Sequence, residues 1–271
     1  MVIDCKQFAE NQLKDLKNFL YDTSLIPCLA IVSTEEADEA SKVYMRNKIK
    51  AANKVGIITR QIILPRDSSQ KDMLNLIDDL NNDNTVSGII VQLPLPKQYS
   101  IGQIQNAIIP IKDVDGFSQH SYFTPCTPTA VINLLKFNEL KVSGTHCVVI
   151  GRSDIVGKPL AHMLLTRNAT ITQCHSFTSP ELLSSICKTA DYIFSAAGKV
   201  NLIKPEYLIP DKTILIDISI NRDSNGKLCG DANKDCYPLL KAYTPVPGGI
   251  GPLTVAQLMY NTVQAESSQR Y

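Results

Sequence analysis

Residues 149–159 read VIGRSDIVGKP: an apolar run delivers the chain to Gly151, and a helix-compatible segment opens a few residues later. A turn of this kind can hold the phosphates of a dinucleotide, because glycine lets the backbone approach the pyrophosphate and unpaired N–H groups at a helix N-terminus favour negative charge. Only Gly151 and Gly157 remain here, with Ser153 where a second glycine would stand, so an ordinary strand-to-helix turn also fits. The next strand sharpens the reading. In an NAD-binding fold that strand ends in an acid that bonds the adenosine ribose, whereas QCHSFT (173–178) carries none, and Arg152 and Ser176 stand at the turn and the strand end. That combination favours NADP over NAD. The alternative for Arg152 is a solvated surface arginine.

Other residues suit proton transfer and flat-ligand binding. Tyr44 and Lys48 are spaced i, i+4, so on a helix they share a face and can reach one ligand; a surface pair has the same spacing. Gln92 follows the apolar run SGIIV at a strand's C-terminal end, where ligands meet open parallel sheets; its alternative role is to cap loop backbone groups. The loop YTPVPGGIGPLT (243–254) offers backbone groups with little bulk, and a rigid turn is its alternative. Cys174 and His175 are neighbours on a strand and point to opposite faces, which disfavours a nucleophile–base pair. The eight cysteines, at 5, 28, 126, 147, 174, 187, 229 and 236, include no C-x-x-C pair and read as reduced thiols, mostly buried in strands. The four histidines have no short ligand spacing, so no zinc site is expected.

These residues need a frame, and the pattern supplies one. Helices are expected at 4–20, 38–55 (closed by Gly56) and 69–82, with strands at 28–33, 57–64 and 86–93. The second half repeats the rhythm, with strands THCVVIG, ATITQCH, DYIFSAA and TILIDIS and helices at 128–138, 155–167, 180–189 and 204–208. Continuous apolar strands between helices imply parallel βαβ units with both sheet faces covered. The Pro-broken stretch 108–128 is read as a linker region, and a last helix from Pro252 could return to the first domain. The expected fold class is therefore α/β: two α/β domains around a cleft, the second a Rossmann-like doubly wound parallel sheet. The first domain comprises 1–117 plus 252–271 and the second 118–251.

With 271 residues, 44% hydrophobic, and a net charge of +1 from dispersed Lys and Arg, the chain has no basic stripe for nucleic acid and no apolar run long enough to span a membrane. Its first twenty residues lack a signal-peptide pattern. A cytoplasmic protein with a small-molecule ligand is expected.

Several separated motifs coincide: YMRNK (44–48), GIIVQLPLP (88–96), IKDVDGF (111–117), PCTP (125–128), GRSDIVGKP, CHSFT, AAGK (196–199) and TPVPGGIGPLT (244–254). Together they resemble the methylenetetrahydrofolate dehydrogenase/methenyltetrahydrofolate cyclohydrolase family over essentially the whole chain. The resemblance implies a homodimer performing two steps of one-carbon folate metabolism that feed purine biosynthesis. A hydride would leave 5,10-methylenetetrahydrofolate for NADP, and water would open the resulting methenyl cation to 10-formyltetrahydrofolate. By resemblance Tyr44 packs on the folate ring system, Lys48 is the catalytic lysine, Gln92 orients Lys48, and Asp115 hydrogen-bonds the pterin; a carboxylate can accept two such bonds in one plane. Asp113 is read as fixing its loop. Pro247, Gly248 and Gly249 are assigned to the space between folate and nicotinamide. Gly151, Arg152, Ser153, Ser176, Gly198 and Ile220 are assigned to the cofactor.

The chain departs from the family pattern in three places. Only Ser118–Thr124 stands where the family has a longer Asn-x-Gly-x-Leu segment, which bears on cleft closure and on the folate tail site. Ser219 replaces a glycine of the D-x-G-I-N motif, and GKVNLI replaces a Gly-Lys-Pro. A serine where glycine allows close approach is expected to weaken NADP binding. The alternatives are a family member that retains only the dehydrogenase, and a folate-binding protein without turnover.

Overall fold

The computed structural model describes residues 1–37 and 39–270, the side chains of 39 and 40 excepted. Position 38, where the second helix is expected to begin, and position 271, the end of the expected first domain, lie outside the described residues. The chain divides into two compact units: an amino-terminal unit of Glu10–Cys126 and the segment from Val255, and a carboxy-terminal unit of Thr127–Thr254 with Met1–Ala9. The first nine residues thus join the opposite unit from the expected one. The Ile3 amide donates to the Tyr243 carbonyl at 2.8 Å and the Tyr243 amide to the Met1 carbonyl at 3.0 Å, a backbone pairing that no local pattern announces. Residues 118–126 stay with the amino-terminal unit: the Tyr122 amide donates to Pro110 O at 3.0 Å and Ser121 Oγ to Asp113 O at 2.9 Å.

In chain order the elements are α1 (Cys5–Thr23), β1 (Cys28–Thr34), α2 (Glu39–Val55), β2 (Ile58–Leu64), α3 (Gln70–Asn82), β3 (Gly88–Val91), α4 (Ile101–Ala107), α5 (Cys126–Phe137), β4 (His146–Ile150), α6 (Gly157–Leu165), β5 (Thr170–Cys174), α7 (Pro180–Cys187), β6 (Tyr192–Ser195), β7 (Ile214–Asp217), β8 (Asn221–Arg222), β9 (Leu228–Cys229), β10 (Ala242–Tyr243) and α8 (Ile250–Arg270). The expected alternation of strands and helices is present. The helix expected at 204–208 is a single 3₁₀ turn over Pro205–Tyr207. The last helix begins two residues before Pro252, which occupies its first turn, where a missing N–H costs nothing. Helix α4, the β8–β9 hairpin, strand β10 and a 3₁₀ segment over Lys234–Leu239 are additions.

The amino-terminal unit holds a parallel sheet of order β2-β1-β3, and the carboxy-terminal unit one of order β10-β7-β6-β4-β5. Period-two alternation sorts each central strand onto two cores. Leu29, Ile31 and Ile90 face one cluster of the first unit, while Ala30, Val32, Ile89 and Val91 face the other. In the second unit Cys147, Val149, Phe194 and Ile216 point one way, and Val148, Ile150, Ile193 and Leu215 the other. Both faces are therefore covered, which is why these strands read as unbroken apolar runs; each large side chain so buried contributes about 1.5–3 kcal/mol. Helix α3 shows the local rules at work. Ser69 and Asp72 form a reciprocal capping box, and Met73, Ile77 and Leu80 form its buried stripe.

All eight cysteines are free and all but Cys229 are buried. Their placement differs from expectation: Cys28, Cys147, Cys174 and Cys229 lie on strands, but Cys5, Cys126, Cys187 and Cys236 lie in helical turns, where a small apolar side chain fills the core equally well. Burial pushes the thiols of Cys5, Cys187 and Cys236 up to about 12, which leaves them inert at neutral pH.

Candidate active site

The amino-terminal unit gathers four of the expected residues. Strand β3 ends at Val91, and its ladder extends one residue further, the Gln92 amide donating to Val32 O at 2.8 Å. The Gln92 side chain thus emerges at the carboxyl end of the sheet, beside central strand β1. Lys48, on α2, donates from Nζ to Gln92 Oε1 at 3.3 Å, and Gln92 Nε2 donates back to Leu93 O at 2.8 Å. The amide thereby turns its oxygen to the lysine. Tyr44 lies one helical turn earlier on the same face and is 36% exposed; burial of the remainder pushes its phenol up.

Asp115 is carried by a loop that is fixed at several points. The buried Asp113 carboxylate accepts the amides of Phe117 at 2.9 Å and Ser118 at 2.7 Å, so its role in shaping the loop is structural. Gly116 has φ +67° and lies against the Thr124–Pro125 backbone, leaving no room for a Cβ. Ahead of the loop, the buried Lys112 donates to the carbonyls of Leu80, Asn81 and Asp83 at 2.8–3.0 Å, closing the open end of α3. Asn261 of α8 donates to Val114 O at 2.8 Å. Cys126 sits beneath this arrangement. Burial first, and then the Asp115 carboxylate, raise its thiol well above the ordinary range, while the Lys48 ammonium acts in the opposite sense.

The carboxy-terminal unit presents the second set. The turn after β4 lies where the sheet order reverses, with β5 on one side and β6 on the other, which is where open α/β sheets take ligands. Gly151 has φ +126° and abuts the carbonyl of Ala196; Gly157 abuts Gly151 O and the Arg152 amide, and a Cβ at either position would collide with backbone. The two glycines that survive are thus those needed for the tight turn and for close helix–strand packing. Ser153 replaces the glycine between them, and its Oγ accepts the Gly157 amide at 3.4 Å. Arg152, Ser153 and Ser176 are exposed. The Arg152 guanidinium lies 5.4 Å from the centre of the Phe177 ring, itself 83% exposed, which brings Arg152 beside the end of β5 where Ser176 stands. No acid occupies that strand end. A glycine cradle that a Cβ would fill, with an exposed guanidinium beside it and no opposing carboxylate, fits a nucleotide with a 2′-phosphate.

The remaining expected residues also fall in this unit. The Gly198 amide donates to Ser219 Oγ at 3.0 Å, next to the exposed Ile220. In the loop before α8, Pro247 and Gly248 are exposed and Gly249 is buried; Gly248 has φ +97°, and Gly249 packs on Pro245 O too closely for a Cβ. Sequence reasoning missed Asn261, Phe177, Ser195, Asn221 and Asp231. Among the described residues no cluster of three or more His, Cys, Asp or Glu could hold a metal ion, and no helix is long and apolar enough to cross a membrane.

Two parallel α/β units, one with a dinucleotide-type turn at its switch point and the other with a Lys–Gln pair and an aspartate at its sheet end, define a nucleotide-dependent enzyme class. The comparisons narrow it. The family profile for the tetrahydrofolate dehydrogenase/cyclohydrolase catalytic domain matches residues 3–115, and that for the family's NAD(P)-binding domain matches 125–270. The bifunctional protein FolD of Agathobacter rectalis is 42% identical over 266 residues, covering 94% of each chain. The crystal structure of the bifunctional FolD dehydrogenase/cyclohydrolase from Campylobacter jejuni superposes with a TM-score of 0.93 at 38% identity, covering 99% of each chain. That of the Trypanosoma brucei enzyme, complexed with NADP cofactor and an inhibitor, does so at 0.92 and 30% identity, covering 99% of this chain and 97% of that one. The chain belongs to the tetrahydrofolate dehydrogenase/cyclohydrolase family, with both the catalytic and the NAD(P)-binding domain present.

Proposed function

We propose that the protein oxidises 5,10-methylenetetrahydrofolate to the methenyl cation with NADP and hydrolyses that cation to 10-formyltetrahydrofolate, as a cytoplasmic homodimer supplying one-carbon units to purine biosynthesis. The observation that carries the reading is the bond from Lys48 Nζ to Gln92 Oε1. In this reading the amino-terminal unit, Glu10–Cys126 with the segment from Val255, serves the folate, and the carboxy-terminal unit, Thr127–Thr254 with Met1–Ala9, serves the nucleotide; Pro247, Gly248 and Gly249 would contact the bound ligands.

The Asp115 carboxylate accepts the planar N–H edge of the pterin, and the Tyr44 ring packs on its face. Gly151 and Ser153 would hold the pyrophosphate, Arg152 and Ser176 the 2′-phosphate, and Gly198 and Ile220 would border the nicotinamide. When bound, NADP supplies a hydride acceptor. For that step the chain contributes alignment of donor and acceptor, which can lower a barrier by about 7–11 kcal/mol. Hydrolysis needs a proton acceptor for the attacking water. A lysine takes that role when a nearby positive charge favours its neutral form, and the methenyl cation is such a charge. Gln92, by accepting from Nζ, keeps the amine aimed at the water. Retention of the Lys48–Gln92 pair supports two activities over a dehydrogenase alone.

The test is a time course with 5,10-methylenetetrahydrofolate and either NADP⁺ or NAD⁺, following reduced nicotinamide and methenyl product separately. Reduction of NADP⁺ with formyl product and no methenyl build-up is expected. Methenyl accumulation would leave a dehydrogenase alone, and no reduction with either cofactor would leave a binding protein.

A further inference from the structure

Three consecutive amides follow β6 in the carboxy-terminal unit, and all three are occupied from inside the protein. The Ala197 amide donates to Asp231 Oδ2 at 2.9 Å, the Gly198 amide to Ser219 Oγ at 3.0 Å, and the Lys199 amide to Asp231 Oδ1 at 2.8 Å. Gly198 has φ +66°, so the run has the alternating backbone hand of a nest, a concavity of N–H groups that ordinarily takes an anion. Here the anion is the protein's own carboxylate. Asp231 is fully buried and accepts two further side chains through Oδ2, Ser195 Oγ at 2.7 Å and Ser219 Oγ at 2.8 Å, with Asn221 Nδ2 on Oδ1 at 2.9 Å. Five donors on two oxygens fill the acceptor capacity of a carboxylate.

We propose that Asp231, with Ser219 as its extension to Gly198, is the positioning residue for the Ala197–Lys199 loop, setting the backbone that borders the nicotinamide half of the cofactor. The inference rests on the NADP reading above. It reverses the effect expected of Ser219. The hydroxyl is not bulk set against the cofactor: it donates to Asp231 and accepts from Gly198, so the loop is tied at all three amides. With glycine at 219 the middle amide would lack its side-chain acceptor. Buried, fully satisfied polar networks of this kind hold one geometry, and a loop held before ligand arrives does not have to be ordered by it.

Ser219→Gly and Ser219→Ala separate the two ideas, because bulk and hydrogen bonding then predict opposite signs. The measurements are hydrogen exchange at amides 197–199 in the free protein, NADP⁺ affinity by titration calorimetry, KM and kcat for the dehydrogenase, and hydrolysis of methenyltetrahydrofolate without cofactor. Wild type must first bind NADP⁺; if it does not, both this proposal and the reading beneath it are overturned. Given binding, both variants should exchange the Gly198 amide roughly tenfold faster or more and bind NADP⁺ about five- to tenfold more weakly. The loss should appear in KM for NADP⁺, with cofactor-free hydrolysis within about twofold of wild type. Ser219→Thr, which keeps the hydroxyl, should recover the affinity. Tighter NADP⁺ binding by Ser219→Gly, unchanged affinity despite faster exchange, or an equal fall in cofactor-free hydrolysis would each overturn the proposal while leaving the wild-type activities standing.

Discussion

Asp217 ends β7 as a carboxyl group buried in the carboxy-terminal unit. Its Oδ2 accepts the Ala232 amide at 2.9 Å, while Oδ1 has no hydrogen-bond partner among the described residues. Burial, aided by the neighbouring Asp231 carboxylate and opposed by amide donors, pushes it from the ordinary carboxylate range up to about 7. The native state therefore holds a proton that the unfolded chain releases near pH 4, so stability is greatest at low pH and falls as pH rises towards the native value. A rise from 3.8 to about 7 corresponds to about 4 kcal/mol, of which roughly 2.5 kcal/mol is lost between pH 5 and pH 8. Asp191 and Glu181, in the same unit, are held below their ordinary values, chiefly by backbone amides. Their contributions have the opposite sign and are complete above about pH 5. Because a two-unit chain need not unfold in one step, the suitable assay is denaturant-dependent hydrogen exchange at β6 and β7 amides. Wild type should lose protection from pH 5 to 7 and level off above it, and the isosteric, non-titrating Asp217→Asn variant should lose that slope. Equal slopes in the two proteins would refute the assignment of a proton to Asp217.

Arg152→Ala should weaken NADP about 10- to 100-fold, the worth of one charge-assisted bond, while NAD binding stays within about twofold, as read by calorimetry with each nucleotide; an unchanged preference would remove Arg152 from the site. Gly157→Ala drives a Cβ into Gly151 O, so protection of the carboxy-terminal unit should fall by about 1–3 kcal/mol, with loss of NADP affinity by titration. Gln92→Ala removes a long, half-exposed bond to Lys48 worth about 1 kcal/mol, and methenyl hydrolysis measured alone should slow by roughly five- to tenfold.

Long apolar strands and amphipathic helices were legible because each sheet is buried on both faces, and the glycine turn after β4 because Gly151 and Gly157 are sterically required. Helix α4 was not: seven residues including Gly102, with prolines at 94, 96 and 110, carry too little periodicity to stand out. The β8–β9 hairpin has strands of two residues, below any alternation signal, although the Asn225–Gly226 step beside them is a turn marker. Lys48, Gln92 and Asp115 are proposed through motif resemblance, since a Tyr-x-x-x-Lys spacing alone describes many surface helices. Asp231 could not be read locally. Its partners are amides and hydroxyls 10–36 residues away, brought to it only once β6 and β7 pair, and the one hint was an acid following Gly230, where the Asp217 carboxylate leaves no space for a side chain. The same limit explains why Met1–Ala9 were grouped with the wrong neighbours in sequence: their tie is a backbone bridge to Tyr243.

The central claim is that one chain carries two chemical steps on separable residues, positioning for hydride transfer and a lysine for water activation. The most direct measurement compares wild type with Lys48→Ala, following NADP⁺ reduction with methylenetetrahydrofolate and, independently, hydrolysis of methenyltetrahydrofolate. The account predicts that hydrolysis falls by about 10²- to 10⁴-fold, that NADP⁺ reduction persists within about tenfold, and that methenyl product now accumulates. Equal loss of both activities, or hydrolysis at the wild-type rate, would contradict it.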